Sequence, residues 1–469
     1  MEINWRNEIE ARKMNLLLDT QNLLKIKSVL DETNSSKEAP FGKGVKEALD
    51  FMLGLGEKDG FTVKNVDHVA GHIEMGQGEE VVGILCHVDV VPEGDGWSSD
   101  PFGAEIRNDK IFARGAIDDK GPTMAAYYAM KLVKELDLPL KKRVRMIIGT
   151  DEESNWRCVD RYFEVEEMPT LGFAPDADFP IINAEKGIWD FNIVQSPALK
   201  EDAPASVRVI QFHSGLRVNM VPDFASAQVE GDSIAEIADR FQNYLTKYSY
   251  TGRAKMEGSK VILELEGVSA HGMEPDNGLN AGLALADFLS GLELDGHARA
   301  YFGFISEFIS GDSRGRKLGL AYSDDITGDL TMNAGKFSYQ KDGNRFIGFT
   351  VRYPVTYNWT QKENELKSVL AGHQLQLETL GNSAPHHVDS ESFLIQTLKR
   401  VYEEEAGEKA NLLSIGGGTY ARSLKEGVAF GPLFPGSEDI AHQKDEYIDI
   451  DDMLKAAAIY ARAIYELAK

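Results

Sequence analysis

One short, continuously apolar run at 81–86 and a second strand pattern at 144–148, apolar but for Arg145, dictate most of what this chain can fold into. A strand that is apolar on both faces must be buried on both faces, as in a largely parallel sheet covered by helices. Between the runs, Pro122 opens a helical pattern that reaches Leu138 and stops before Pro139. Proline at the first helical position and just past the end marks both boundaries, so a helix is predicted over 122–138. Residues 171–174 read as a third buried strand, and residues 8–25 carry helical apolar spacing. Strand, helix and strand in this order give an α/β domain with a mixed, largely parallel sheet flanked by helices.

The middle of the chain follows a different pattern. Its strand candidates, 262–265 and 346–351, are more amphipathic and alternate with helices such as 281–292, as in a sheet with one covered face. After Pro385 the buried pattern returns: a helix over 390–404, a strand over 428–430, and an amphipathic helix over 451–467 capped by Asp451. The expected organisation is a discontinuous domain, residues 1–186 and 385–469, with an α+β domain, residues 187–384, inserted into it. A chain of 469 residues is too long for one ordinary core, which agrees with two domains.

Composition removes several classes of function. A formal charge of -25 repels nucleic acid and anionic membrane, so neither is expected as a partner. Cys86 and Cys158 are the only cysteines, which excludes a disulfide scaffold and fits a reducing compartment. The first residues lack the apolar core of a signal peptide, and no apolar run is long enough to span a bilayer. A soluble, cytoplasmic protein is expected.

Ligands of open parallel sheets bind at the carboxyl ends of strands, so polar residues directly after apolar runs are informative. His87-Val88-Asp89 follows the first strand and places an imidazole and a carboxylate on one side of an extended backbone. Asp118 and Asp119 lie just before a helix, where capping accounts for one of them but not for both. Asp151-Glu152-Glu153 follows the second strand; three adjacent acids suit either a solvated loop or a cation site. Asp176 follows the third strand, and His442 stands near the end of the chain. Two imidazoles and three carboxylates (His87, Asp118, Glu153, Asp176 and His442) suit zinc, manganese or a similar ion. A shared carboxylate lets two cations sit ~3.5–4 Å apart around a water, and Glu152 remains for use as a general base.

In order and in wording these clusters resemble the aminoacylase/carboxypeptidase family of two-metal amidohydrolases. The matching phrases are His-x-Asp, Asp-Asp-Lys-Gly, Asp-Glu-Glu, Pro-Asp-Ala and a late His, and the likeness spans essentially the whole chain. Within that family the chain is most similar to the PepV-type dipeptidases of Gram-positive bacteria, through residues 87–92 and 118–122, Gly416-Gly417-Gly418-Thr419-Tyr420 and Arg352-Tyr353-Pro354.

The resemblance implies a zinc-peptidase-like catalytic domain with the inserted domain as a lid. It also implies two divalent ions per chain, Zn2+ or Mn2+. His87 and Asp176 would hold one ion, Glu153 and His442 the other, and Asp118 would bridge them. Asp89 would orient His87, and Glu152 would move the proton of the bridging water. The peptide between Asp118 and Asp119 is often cis in this family. His271 would stabilise the oxyanion, while Asn219, Arg352 and the amides of Gly416, Gly417 and Gly418 would hold a small peptide. The long lid implies a monomer. The expected activity is hydrolysis of unblocked dipeptides with broad side-chain tolerance. N-acyl amino acid deacylation and tripeptide trimming are the alternatives within the same chemistry. A silent metal- or peptide-binding module is disfavoured by Glu152 beside a full ligand set, and a phosphohydrolase by the lack of a phosphate loop. His68 and His72 are spaced like a helical zinc pair, but the residues around them read as strand or turn.

Overall fold

The computed structural model describes residues 3–195, 205–231 and 233–469. The chain forms two compact units: Met1–Ala184 with His387–Leu413 and Thr419–Lys469, and Glu185–His386 with Ser414–Gly418. The short run Ser414–Gly418, placed by sequence with the outer domain, clusters with the second unit.

In the first unit, strands run in the order Thr62–Val66, Ala70–Met75, Arg143–Gly149, Val81–His87, Leu171–Ala174, Gly427–Ala429, Ile181–Glu185. The four central strands pair in parallel and the outer pairings are antiparallel. All seven residues of Val81–His87 are buried, as the apolar run requires. Two long helices, Lys120–Glu135 and Ile450–Ala468, pack against each other in the core. Buried alanines on both, Ala125, Ala126 and Ala129 on one and Ala456, Ala457 and Ala461 on the other, fill little space and permit close approach.

Several helix bounds differ from expectation: the helices expected over 122–138, 281–292 and 390–404 end or begin elsewhere, at Glu135, at Ser290 and over Phe393–Ala406. The pattern over 8–25 is broken at Ala11 and Arg12 into Trp5–Glu10 and Lys13–Leu24. The helix expected from Pro122 begins two residues earlier, at Lys120. Proline is tolerated there because first-turn N–H groups have no partner within the helix. The last helix is capped by Asp449, whose carboxylate accepts from the N–H groups of Asp451 and Asp452, and not by Asp451.

The second unit holds an antiparallel sheet in the order Thr251–Glu257, Lys260–Glu266, Phe224–Gly231, Val207–Ser214, Thr331–Gln340, Arg345–Tyr353, Gly187–Gln195, Leu375–Ser383. Gly187–Gln195 alternates buried and half-buried residues, sending Trp189, Phe191 and Ile193 into a core shared with helices Ile234–Tyr248, Ala281–Ser290, Gly296–Phe308 and Trp359–Gly372. One covered face is what the amphipathic strands call for. Among the described residues, no helix is long and apolar enough to cross a membrane.

His72 lies in the buried strand Ala70–Met75, not on a helix, and its Nδ1 meets the Tyr162 hydroxyl at 2.8 Å. Burial, and then the Arg145 charge, lower its pKa from 6.5 to about 4. Between those values the unfolded chain binds a proton that the folded chain refuses. The contribution to stability is therefore fully present above pH 6.5 and lost as pH falls toward about 4. Melting temperature should fall with acid over this window, and less steeply in His72→Gln, as a thermal-melt series checks.

Candidate metal and catalytic site

Parallel register delivers the site residues to one edge. His87 pairs with Gly149 and Val82 with Leu171, so His87, the acids after Gly149 and the acid after Ala174 leave the sheet at the same end. Asp118 arrives from the turn before the helix Lys120–Glu135. That turn is tight: a Cβ on Gly121 would lie 2.0 Å from the Ala116 carbonyl oxygen. The peptide between Asp118 and Asp119 is cis. His442 sits in the left-handed region at φ 63, uncommon for a residue other than glycine, though histidine enters it more readily than most.

The geometry centres on Asp118. Its Oδ1 lies 3.0 Å from His87 Nε2 and its Oδ2 lies 3.0 Å from His442 Nε2. His87 Nε2 is also 3.7 Å from Asp176 Oδ1, and His442 Nε2 is 3.0 Å from Glu153 Oε1. Among the described residues, two groups have ligand atoms mutually within 4.8 Å: His87, Glu152 and Asp176, and Asp118, Glu153 and His442. Glu152 is thus inside the first cluster and not apart from the ligand set.

Asp89 supports more than its histidine. His87 Nδ1 donates to the backbone oxygen of Asp89 at 3.0 Å and is 3.5 Å from its carboxylate. That carboxylate accepts from the N–H groups of Glu152 at 3.2 Å and Glu153 at 3.1 Å, fixing where the two glutamates start. Asp119 holds the N-cap position without a capping bond. Its Oδ2 instead accepts from the His87 N–H and the Thr123 hydroxyl.

Charge within the site is unbalanced. Burial, and then the neighbouring Asp176, Glu153 and Asp118 against a counteracting His87, push the Glu152 carboxyl well up. Burial and Asp118 raise Glu153 to about 7 despite its bond to His442, and burial raises Asp176. Asp118 is held low by its bonds to His442 and His87, which outweigh burial. The imidazoles move the other way. His442 is raised to about 11 by its bonds to Asp118 and Glu153. His87 is raised by Asp176, Asp118 and Asp89 against the effect of burial. A positive charge at each Nε2 is therefore favoured.

Divalent cations fit this donor set. The Asp89 carbonyl can only accept, so Nδ1 carries the proton of a neutral His87 and the Nε2 lone pair faces Asp118 and Asp176. Crowded carboxylates are the partners that divalent ions neutralise.

The remaining expected residues lie in the second unit and gather there. The Gly272 N–H donates to the Asn219 oxygen at 2.7 Å, and Met220 bridges His271. The Met273 N–H donates to His271 Nδ1 at 3.2 Å. Burial, and then the Arg352 charge, lower the His271 pKa. Arg352 is nearly buried in the strand Arg345–Tyr353, opposite Thr331 and Ile188. A Cβ on Gly416 would lie 3.3 Å from Met273 Cβ, so that loop abuts the His271 segment; one on Gly417 would meet nothing within 4 Å. Gly418 closes the same run of the second unit. Both cysteines are free and buried, Cys158 against the Tyr420 hydroxyl at 3.2 Å.

Arg114 and Glu446 escaped the sequence reading, although both are buried and bonded to the site segments. Arg114 lies four residues before Asp118, and Glu446 four after His442, the only hint the sequence offers.

Comparison with known proteins agrees with this chemistry. The chain is 54% identical over 467 residues to "Putative dipeptidase YtjP" of Bacillus subtilis (strain 168), covering 100% of both chains. A relative from Staphylococcus haemolyticus, named in the same way, is 43% identical over 465 residues, 99% of each chain. Among solved structures, aminopeptidase PepT from Bacillus cereus is similar in fold, with TM-score 0.58 and 15% identity over 97% of this chain and 99% of that one. Human carnosine dipeptidase 1 is another, with TM-score 0.56 and 13% identity over 99% and 98%. Residues 83–466 match the peptidase family M20/M25/M40. The chain belongs to this family and is a metallopeptidase.

Proposed function

We propose that this metallopeptidase is a dipeptidase acting on unblocked dipeptides with broad side-chain tolerance, and that it works as a monomer in the cytoplasm. The observation that carries the reading is the Asp118 carboxylate, one oxygen on each of two histidines from distant parts of the chain. His87 and Asp176 would hold one divalent cation, Glu153 and His442 a second, with Asp118 shared; zinc and manganese both suit these donors. The names of the relatives from Bacillus and Staphylococcus support the substrate class, and the two free cysteines suit a reducing compartment.

When bound, the cations would polarise the peptide carbonyl and make water acidic enough to attack near neutral pH. The chain's own groups do the rest. The Glu152 carboxylate takes the proton of the attacking water and returns it to the leaving amine. His271, accepting at Nδ1 and kept neutral by burial and Arg352, carries its proton on Nε2 and donates it to the oxyanion. Arg352, Asn219 and the amides of Gly416, Gly417 and Gly418 hold the substrate, with the guanidinium fork on the terminal carboxylate.

A panel of free dipeptides, N-acylated amino acids and tripeptides tests the reading. Turnover should be fastest on free dipeptides with varied side chains; preference for N-acylated substrates would contradict it. In the same assay, Arg352→Ala should raise KM about 10–100-fold through lost carboxylate contact, with a smaller fall in kcat. Unchanged dipeptide kinetics would remove Arg352 from the site.

A further inference from the structure

Two of the residues read above as cation ligands come from segments more than three hundred positions apart, and one buried ion pair is bonded to both. Arg114 is 2% exposed and Glu446 0%. Arg114 Nη1 donates to Glu446 Oε2 at 2.5 Å. Glu446 Oε1 accepts from the backbone N–H groups of Ile117 at 3.0 Å and Asp118 at 3.3 Å. Arg114 Nη2 donates to the His442 backbone oxygen at 3.1 Å and to that of Glu93 at 3.3 Å. The Arg114 guanidinium also faces the Trp97 ring at 5.3 Å. A backbone bond from the Ala113 N–H to the Glu446 oxygen, 3.0 Å, closes the junction.

We infer that Arg114 and Glu446 are positioning residues that hold the backbones of Asp118 and His442 at the spacing needed to share a cation, an inference that rests on the ligand reading above. The carboxylate fixes the turn that presents Asp118. The guanidinium fork fixes the left-handed turn that presents His442. Desolvation leaves a buried ion pair with little net stability to contribute, so its distinctive consequence is geometric. Groups behind a ligand set its orientation, and their loss typically weakens cation binding about 10–100-fold. Gln at 446 keeps an oxygen for the amides but loses the charge facing Arg114. Lys at 114 keeps the charge but cannot span Glu446 and His442 together.

The test titrates Zn2+ and, separately, Mn2+ into the chelator-treated full chain against a competing chelator. Wild type, Glu446→Gln and Arg114→Lys are compared, and the melting temperature of each cation-free form is recorded. Wild type should bind two ions, and each variant should lose about 10–100-fold in affinity for at least one. Variants that melt lower yet bind both ions as tightly as wild type would assign the pair a purely structural role and overturn the inference. Should Glu446→Gln not fold, Arg114→Lys carries the comparison. A wild type that binds fewer than two ions overturns the ligand reading, and this inference with it, so the wild-type titration tells the two failures apart.

Discussion

Replacing Glu152 with Gln lowers kcat by about 10²–10⁴-fold while both cations still bind, because the substitution removes a proton acceptor and little else. The Glu152 backbone is held by Asp89, so the side chain at this position keeps its place after substitution. Its carboxyl is pushed up by burial and by Asp176, Glu153 and Asp118. Gln has nearly the same volume and no charge, so the fold and the neighbouring ligands should persist. Steady-state kinetics with metal analysis of the same preparation checks both halves of the expectation. A variant with near-normal kcat would remove Glu152 from the proton-transfer role, and one that lost its cations would recast it as a ligand. The second outcome is a real contrast, because Glu152 shares a cluster with His87 and Asp176.

Asp118→Ala has the other large effect: turnover falls below detection and cation affinity falls by more than about 100-fold. Losing a group behind a ligand costs about 10–100-fold, and losing a shared ligand costs more. Asp118 contacts His87 on one oxygen and His442 on the other, so its removal opens both halves of the site together. His442→Ala, by contrast, should spare the pairing of His87 with Asp176. Titration of the two variants separates the cases: one ion retained by His442→Ala, neither held tightly by Asp118→Ala. Two ions bound with wild-type affinity in Asp118→Ala would contradict the bridging role.

How much of this was legible in the sequence follows from which forces are local. The apolar run before His87 and the strand pattern before Thr150, apolar but for Arg145, specify buried strands, and parallel register then carries His87, Glu152, Glu153 and Asp176 to one edge. Such residues can be read because strand period and burial are local properties. Asp89 was legible as a neighbour of His87 but not as the acceptor for the amides of Glu152 and Glu153, since that contact depends on how a second strand ends. Arg114 and Glu446 were hidden for the same reason; an arginine and a glutamate in isolation look like surface residues, and only the fold buries them together. The cap of the last helix was misplaced because Asp449, Asp451 and Asp452 are all competent by type, and backbone geometry selects Asp449. Ser414–Gly418 gathers with the second unit through contacts such as Lys186 N–H to the Ile415 oxygen, which no window along the chain contains.

Anomalous diffraction from crystals grown with Mn2+, and separately with Zn2+, tests the shared-carboxylate site most directly. Two peaks ~3.5–4 Å apart, one beside His87 and Asp176 and one beside Glu153 and His442 with Asp118 between them, are the expected result. A single peak there, or peaks only away from Asp118, would contradict the account.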